Sequence, residues 1–147
     1  MGLSRMLSGA VAASSVALAL GACSSSGEPG GTAQDFTGGY TLVSFAQGTP
    51  AGVVDVPGAT GTATLTATHY DVSLSIPVGG GFPPIDVTDQ GTYSATGTAT
   101  SGTFTQQSTV DPSLQYTGTY SFNAGTSQLT LDTTAQGVRT VIVLQRT

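Results

Sequence analysis

Few side chains in this sequence could carry out chemistry, and His69 and Asp71 form the first pair to consider. A His-x-Asp spacing on a β-strand puts both side chains on one face, where they could bind one metal ion. Zinc sites need three or four ligands, and the sequence has no other histidine and a single cysteine, Cys23. We therefore expect both side chains to point to solvent, and we expect no metal and no other cofactor.

Nucleophilic and carboxylate catalysis are no better supported. His69 is the single imidazole that could activate a serine or threonine, and no segment resembles a nucleophile elbow. Asp86 and Asp89 could form a carboxylate pair, but we predict that both lie in a loop beside Gly and Pro residues. Turn formation and capping of the next strand are sufficient reasons for aspartates there. The sequence therefore predicts a protein that is not an enzyme.

The elements that hold these residues are predicted to be β-strands of one small domain. Hydrophobic residues make up 38% of the 147 residues, charged residues make up 7%, and threonine, which suits a half-exposed strand, is frequent. The formal net charge is -5, and there is no lysine. Nucleic acid is not an expected partner, because phosphate binding depends on clustered lysine and arginine.

Alternation of apolar and polar residues supports the β prediction from residue 38 onward. Tyr70, Val72, Leu74 and Ile76 alternate with polar residues, which is the period of a half-buried strand. No window sustains the spacing of three and four that a helix requires. Eight strands are predicted, near residues 39–46, 60–67, 69–77, 90–97, 102–109, 114–122, 127–133 and 138–146.

Short connections with turn residues join most of these strands, which favours antiparallel neighbours. Eight antiparallel strands in one small domain have edges to protect, and an up-and-down barrel protects them by closing the sheet on itself. The predicted fold class is therefore all-β, an eight-stranded antiparallel up-and-down barrel, and a β-sandwich is the alternative. A barrel with this number of strands is either filled with side chains or holds one small ligand.

The N-terminal segment has the pattern of an export signal. Arg5 supplies a positive charge, residues 6–20 are rich in apolar residues, and small residues precede Cys23. The sequence Leu-Gly-Ala-Cys that ends at Cys23 resembles the lipobox of bacterial lipoproteins. This resemblance implies cleavage before Cys23, lipidation of that cysteine, and an extracytoplasmic protein anchored to the cell membrane or the outer membrane. An ordinary secretory signal followed by an unrelated cysteine is the alternative.

These observations divide the chain into three predicted parts. Residues 1–22 are predicted to be a lipoprotein signal peptide, and residues 23–37 a lipidated N-terminus followed by a flexible tether that is rich in Gly and Ser. Residues 38–147 are predicted to form the barrel domain. The membrane is then a partner of the protein through the lipid on Cys23.

The barrel part of the chain resembles the lipocalin-like domains of bacterial lipoproteins. Lipocalins begin their first strand with Gly-x-Trp, whose ring closes one end of the barrel under an arginine from near the last strand. Gly38 and Tyr40 stand where that motif is expected, and Arg146 lies in the final predicted strand. The resemblance implies that these three residues close the barrel. It also implies that residues 47–59 form a lid-like loop beside a ligand site.

Inward-facing side chains are the candidates for ligand binding. Aromatic residues are predicted to line the interior together with small residues such as Ala63 and Ala67. In a hollow barrel they would surround a small hydrophobic ligand, with tyrosine hydroxyls as polar contacts. In a filled barrel they would form a solid core, and the protein would be a structural or protein-interaction module of the cell envelope. The six candidate ligand residues are Tyr70, Tyr93, Phe104, Tyr116, Tyr120 and Phe122.

A second long connection, residues 77–88, carries Phe82 and Ile85 on either side of two prolines. If these apolar side chains are exposed, they would form a portal, a membrane contact or a partner-binding tip, because contiguous exposed apolar residues mark interaction sites. Alternatively, the segment folds back and plugs one end of the barrel, and we expect this second arrangement.

Overall fold

The computed structural model describes Thr32, Ala33 and residues 35–147, and every regular element in this part of the chain is a β-strand. No helix long and apolar enough to cross a bilayer occurs among these residues. The predicted signal peptide and Cys23 lie outside the described residues. The strands are β1 (Thr32–Ala33), β2 (Gly38–Thr49), β3 (Gly52–Asp55), β4 (Thr60–Leu65), β5 (His69–Ile76), β6 (Ile85–Gly97), β7 (Ser101–Ser108), β8 (Gln115–Asn123), β9 (Gln128–Ala135) and β10 (Val138–Arg146).

Eight of these strands form a closed antiparallel barrel. They follow the order β6, β5, β4, β2, β10, β9, β8 and β7, and β7 pairs with β6 again, for example at Phe104 and Ala95. The short strands β1 and β3 lie outside this ring and pair with β6 and β2. The predicted eight-stranded barrel is confirmed. The alternative of a β-sandwich is wrong, because the pairing of β6 with β7 leaves no gap between two separate sheets.

Connections alternate between the two ends of the barrel because neighbouring strands are antiparallel. The segments at one end, which we call the closed end, are 35–37, 66–68, 98–100 and 124–127. The segments at the other end, which we call the open end, are 50–59, 77–84, 109–114 and 136–137. The two long connections noted in the sequence, residues 47–59 and 77–88, therefore both reach the open end.

Two strands extend further than the alternation predicted. β6 begins at Ile85, directly after Pro83 and Pro84, whereas the sequence placed its start near residue 90. A proline is tolerated just before a strand because no ladder hydrogen bond is lost there. Similarly, β2 continues to Thr49 and then turns back as β3, so a hairpin replaces much of the predicted lid-like loop.

A β-bulge at Val43 determines which side chains of β2 face the interior. Leu42 and Ser44 pair with consecutive residues of β10, so Val43 has no partner on that strand. The extra residue changes the alternation. Leu42 packs against the core before the bulge, and Phe45 and Gln47 line the interior after it.

Aromatic side chains fill the closed half of the barrel, where Phe36, Tyr93 and Tyr120 form what we call the closed-end core. The ring of Phe36 contacts the ring of Tyr120 edge to face, with centroids 4.9 Å apart, and Tyr93 stacks on Phe104 at 5.5 Å. Phe36 belongs to the predicted tether, residues 23–37, yet it is only 5% exposed. Packing of the core therefore begins before the first barrel strand.

Three tyrosine hydroxyls connect this packed interior to the backbone of the closed end. Each donates to a carbonyl of segment 35–37 or of a closed-end turn, which satisfies a polar atom that would otherwise cost about 1–3 kcal/mol when buried. The donor of each hydroxyl is therefore occupied by a hydrogen bond within the fold. The bonds join Tyr40 to Phe36 (2.8 Å), Tyr93 to Thr66 (2.6 Å) and Tyr120 to Thr98 (2.6 Å).

Candidate functional site: the barrel cavity

A cavity of ≈ 200 Å³ lies inside the barrel, toward the open end. All eight barrel strands contribute to its wall. An apolar cavity of about 150 Å³ is large enough to hold benzene. The space in this barrel is therefore sufficient for a small organic molecule.

Most of the cavity wall is apolar. One side is formed by the inward face of β5, where Val72, Leu74 and Ile76 follow one another along the barrel. The opposite side includes Ile142 and Leu144 of β10. Branched aliphatic side chains of this kind favour an apolar ligand, because its transfer from water contributes roughly 25 cal/mol for each Å² of apolar surface buried.

Asp89 is the charged side chain of the cavity wall, and two hydroxyls hold its carboxylate in place. Tyr70 Oη donates to Asp89 Oδ2 at 2.8 Å, and Ser108 Oγ donates to Asp89 Oδ1 at 2.6 Å. The three residues come from β6, β5 and β7, which are adjacent in the barrel. Asp89 is only half-buried, so the carboxylate remains accessible from the cavity.

Ser108 also connects this carboxylate to a loop of the open end. Its Oγ accepts hydrogen bonds from the backbone N–H groups of Val110 at 3.1 Å and Asp111 at 2.9 Å. Asp89, Ser108 and the first residues of loop 109–114 consequently form one hydrogen-bonded unit.

Two hydrogen bonds between other polar groups of the wall are long. Gln47 Nε2 donates to Thr140 Oγ1 at 3.4 Å, and Thr133 Oγ1 donates to the Thr140 carbonyl at 3.5 Å. Among the residues that the structure describes, the hydroxyl of Tyr116 has no hydrogen-bond partner. Tyr116 is therefore available to donate a hydrogen bond to a ligand or to accept one.

Both cavity tyrosines are protonated at neutral pH, and burial extends this state to more alkaline pH. Desolvation raises the pKa of Tyr70, and the hydrogen bond to Asp89 contributes to the same change. Desolvation also raises the pKa of Tyr116, with a further contribution from the negative charges of Asp89 and Asp111. Both side chains therefore remain neutral hydrogen-bonding groups.

The six aromatic residues proposed as ligand contacts divide into two groups. Tyr70, Phe104 and Tyr116 line the cavity. The other three do not: Tyr93 and Tyr120 belong to the closed-end core, and Phe122 packs against Phe36 of that core, with ring centroids 6.4 Å apart. Ala67, which was expected on the inner wall, lies in the exposed turn 66–68.

The three residues proposed to close the barrel meet at the closed end. Tyr40 pairs with Arg146 across β2 and β10, and the Tyr40 side chain is 2% exposed. A guanidinium nitrogen of Arg146 donates to the carbonyl of Thr37. Arg146 Nε also lies so close to Gly38 that a Cβ there would be 2.9 Å away.

Of the two residue pairs considered for metal binding or catalysis, only one contributes a side chain to the cavity. His69 and Asp71 are exposed, and His69 Nδ1 lies 2.8 Å from the hydroxyl of Thr68. Asp86 and Asp89 lie on β6 and not in a loop, which corrects the sequence prediction. Only Asp89 faces the cavity, because the two residues are three positions apart on a strand and therefore point to opposite sides.

The segment 77–88 does not plug the barrel. Phe82 is 74% exposed and Ile85 is 54% exposed, so the expected plug is wrong. These side chains stand at the rim of the open end together with Val54 and Val110, which are also exposed. The rim consequently exposes apolar side chains and leaves the cavity accessible.

Comparisons with known proteins found a similar solved structure but no related sequence. No protein-family model and no curated protein matches the chain. Among solved structures, the chain is similar to a redesigned β-barrel, with a TM-score of 0.42 and 16% sequence identity; the match covers 76% of this chain and 90% of that one. The residues of the cavity are therefore the basis for a functional proposal.

Proposed function

We propose that the barrel binds one small, largely apolar molecule in its cavity and admits it through the open end. The observation that carries this proposal is the division of the interior. Aromatic side chains fill the closed half, whereas the half toward the open end retains ≈ 200 Å³ of space. An apolar wall with a few polar groups is typical of small-molecule sites. Here Asp89, Tyr70 and Tyr116 would orient the ligand.

A lipid anchor on Cys23 is the second part of the proposal. It is supported by the lipobox-like residues 20–23 that follow an apolar leader. Segment 35–37 lies at the closed end of the barrel, so a tether from Cys23 would approach the side opposite the cavity mouth. The protein would then be an extracytoplasmic, lipocalin-like lipoprotein of the cell membrane or the outer membrane, with its ligand site unobstructed by the lipid.

Native mass spectrometry of the full chain, purified without detergent as the Cys23→Ala variant, tests ligand binding. We expect small-molecule adducts on this protein and their loss when Val72→Trp fills part of the cavity. Ser73→Trp is the matched control, because Ser73 is the next residue of β5 and is exposed on the outer surface. An adduct-free mass, or adducts that survive Val72→Trp, would instead favour a module that acts through its surface.

Membrane fractionation tests the anchor separately. We expect the wild-type chain in the membrane fraction and the Cys23→Ala variant in the soluble fraction, because the variant lacks the thiol that would be acylated. Recovery of both proteins in the membrane fraction would contradict lipidation, and it would leave the cavity proposal intact.

A further inference from the structure

We propose that the ligand of the cavity is an organic cation, an amine whose charged nitrogen binds Asp89. This inference rests on the proposed function and adds the chemical class of the ligand. It follows from one feature of the site, which is a carboxylate in an apolar cavity without a positive partner.

No basic side chain within the described residues compensates the charge of Asp89. Arg139 lies on the outer surface of the barrel, where it makes an ion pair of 2.6 Å with Asp132. Arg146 is at the closed end and donates to the carbonyl of Thr37. The groups that do contact Asp89, the hydroxyls of Tyr70 and Ser108, are neutral.

A ligand that fills the cavity displaces water from Asp89, and a charge that loses its water is costly unless it is paired and hydrogen-bonded. The two hydroxyls provide hydrogen bonds but no charge. Each carboxylate oxygen can accept more than one hydrogen bond, so a second donor on each oxygen is possible. An ammonium group provides both missing elements, because it carries three N–H donors and one positive charge.

Aromatic side chains that share the cavity with the carboxylate favour the same class of ligand. Tyr70, Phe104 and Tyr116 all line the cavity that contains Asp89. The π face of an aromatic ring attracts a cation within about 6 Å. The hydroxyl of Tyr116 can also accept a hydrogen bond from the ammonium.

The open end of the barrel carries further negative charge. Asp55 and Asp111 lie at this end, and the basic residue near it, Arg139, is already paired with Asp132. A cleft bordered by charges of one sign raises the local concentration of ligands with the opposite sign. Cations are therefore attracted to the mouth of the cavity, and anions are repelled from it.

The volume restricts the apolar part of the ligand to a single ring or a short chain. Benzene occupies a cavity of about 150 Å³, and the cavity of this barrel has ≈ 200 Å³. An aromatic ring with a two-carbon arm that ends in the charged nitrogen is a molecule of suitable size.

Three compounds with the same aromatic ring provide the test: 2-phenylethylamine, 2-phenylethanol and phenylacetate. Isothermal titration calorimetry at neutral pH is carried out on the full chain with Cys23→Ala. We expect the amine to bind roughly tenfold to hundredfold more tightly than the alcohol, in line with a charge-assisted hydrogen bond. We expect phenylacetate to bind most weakly.

Asp89→Asn identifies the responsible group. This variant keeps the size of the side chain but removes its charge, so the preference for the amine over the alcohol is expected to fall to threefold or less. Asp86→Asn is the matched control, because it removes the same charge from the outer face of the same strand. It is expected to leave the preference nearly unchanged.

The outcomes separate this inference from the proposed function. Equal binding of amine and alcohol to the parent protein overturns the cation proposal and leaves a ligand-binding barrel. A preference that survives in Asp89→Asn, or disappears equally in Asp86→Asn, also overturns it. Binding of none of the three compounds contradicts both proposals. If Asp89→Asn does not fold, the ranking of the three ligands on the parent protein still decides.

Discussion

The ring of Tyr70 lies against Gly91, its partner in the register of β5 and β6. A Cβ on Gly91 would be 2.9 Å from Tyr70 Cε1 and 1.9 Å from the carbonyl oxygen of Gln107. The absence of a side chain at residue 91 thus gives the tyrosine ring the space in which its hydroxyl reaches Asp89. Gly91 is a structural requirement of the cavity although it does not line it.

Gly91→Ala is expected to destabilise the protein by about 1–3 kcal/mol, the usual cost of forcing an extra carbon into a packed interior. The measurement is urea unfolding followed by circular dichroism. Gly52→Ala is the control, since a Cβ at Gly52 would meet nothing within 4 Å. If both variants lose the same stability, crowding against Tyr70 and the backbone of Gln107 does not cause the loss.

Phe36→Ala is expected to lower the free energy of unfolding by about 3–5 kcal/mol, because truncation of a buried phenylalanine leaves a cavity. Phe82→Ala serves as the comparison. Phe82 is 74% exposed, so its removal should change stability by no more than about 0.5 kcal/mol. Thermal and urea unfolding of both variants measure the difference. Equal effects would mean that Phe36 does not pack in the core in solution.

Alkaline pH is expected to destabilise the folded chain. Burial raises the pKa of all five tyrosines above the usual 10.0. The unfolded chain therefore loses these protons first. The corresponding stability is complete below about pH 10 and is lost as the pH rises through the folded-state values.

An ultraviolet titration of tyrosinate, recorded together with circular dichroism, measures this linkage. We expect tyrosinate to appear only as the barrel unfolds, whereas the chain in concentrated urea should titrate near pH 10. Ionisation of the native tyrosines near pH 10, with the circular dichroism spectrum unchanged, would contradict the burial of their hydroxyls.

Gln136→Asn is expected to stabilise the protein by roughly 0.5–1 kcal/mol. Gln136 and Gly137 form the two-residue turn between β9 and β10, and their φ angles are 49° and 79°. Positive φ at both positions is typical of hairpin turns that prefer Asn-Gly. Gln136→Ala is the control and should give no gain. Thermal unfolding compares the two variants, and the absence of a gain in Gln136→Asn would indicate that the turn carries no strain.

Alternation along the chain was sufficient to predict the barrel and much of its wall. In β5 every second residue from Tyr70 to Ile76 is apolar and faces inward, as the period of a strand requires. Short turns between such strands left antiparallel neighbours as the simplest arrangement, and closure of the sheet followed from the need to protect its edges. These features depend on local sequence, so one chain is enough to predict them.

The features that were missed depend on contacts between distant residues. After the bulge at Val43, the residues of β2 that face inward change from even-numbered to odd-numbered positions. No glycine, proline or other turn residue in the sequence indicates this bulge. The glycines and prolines that precede Asp89 predict a loop at that position. The alternation of Val87, Gly91 and Tyr93 around it is the signal that indicates a strand.

Alternation in the sequence also does not predict how far along the barrel axis each aromatic residue lies. Alternation indicates that Tyr116 and Tyr120 both face inward, since they are four residues apart on one strand. Only the stagger of the strands places Tyr116 in the cavity and Tyr120 in the closed-end core. The same stagger decided which three of the six proposed ligand residues reach the cavity.

The separation of the closed end from the open end has a consequence for protein engineering. The closed-end core and its three tyrosine hydrogen bonds do not involve segments 50–59, 77–84 and 136–137. Loops that are supported by a rigid scaffold tolerate insertion and replacement. These three connections are therefore suitable sites for grafting new recognition sequences, whereas loop 109–114 should be kept, because Ser108 joins its backbone to Asp89.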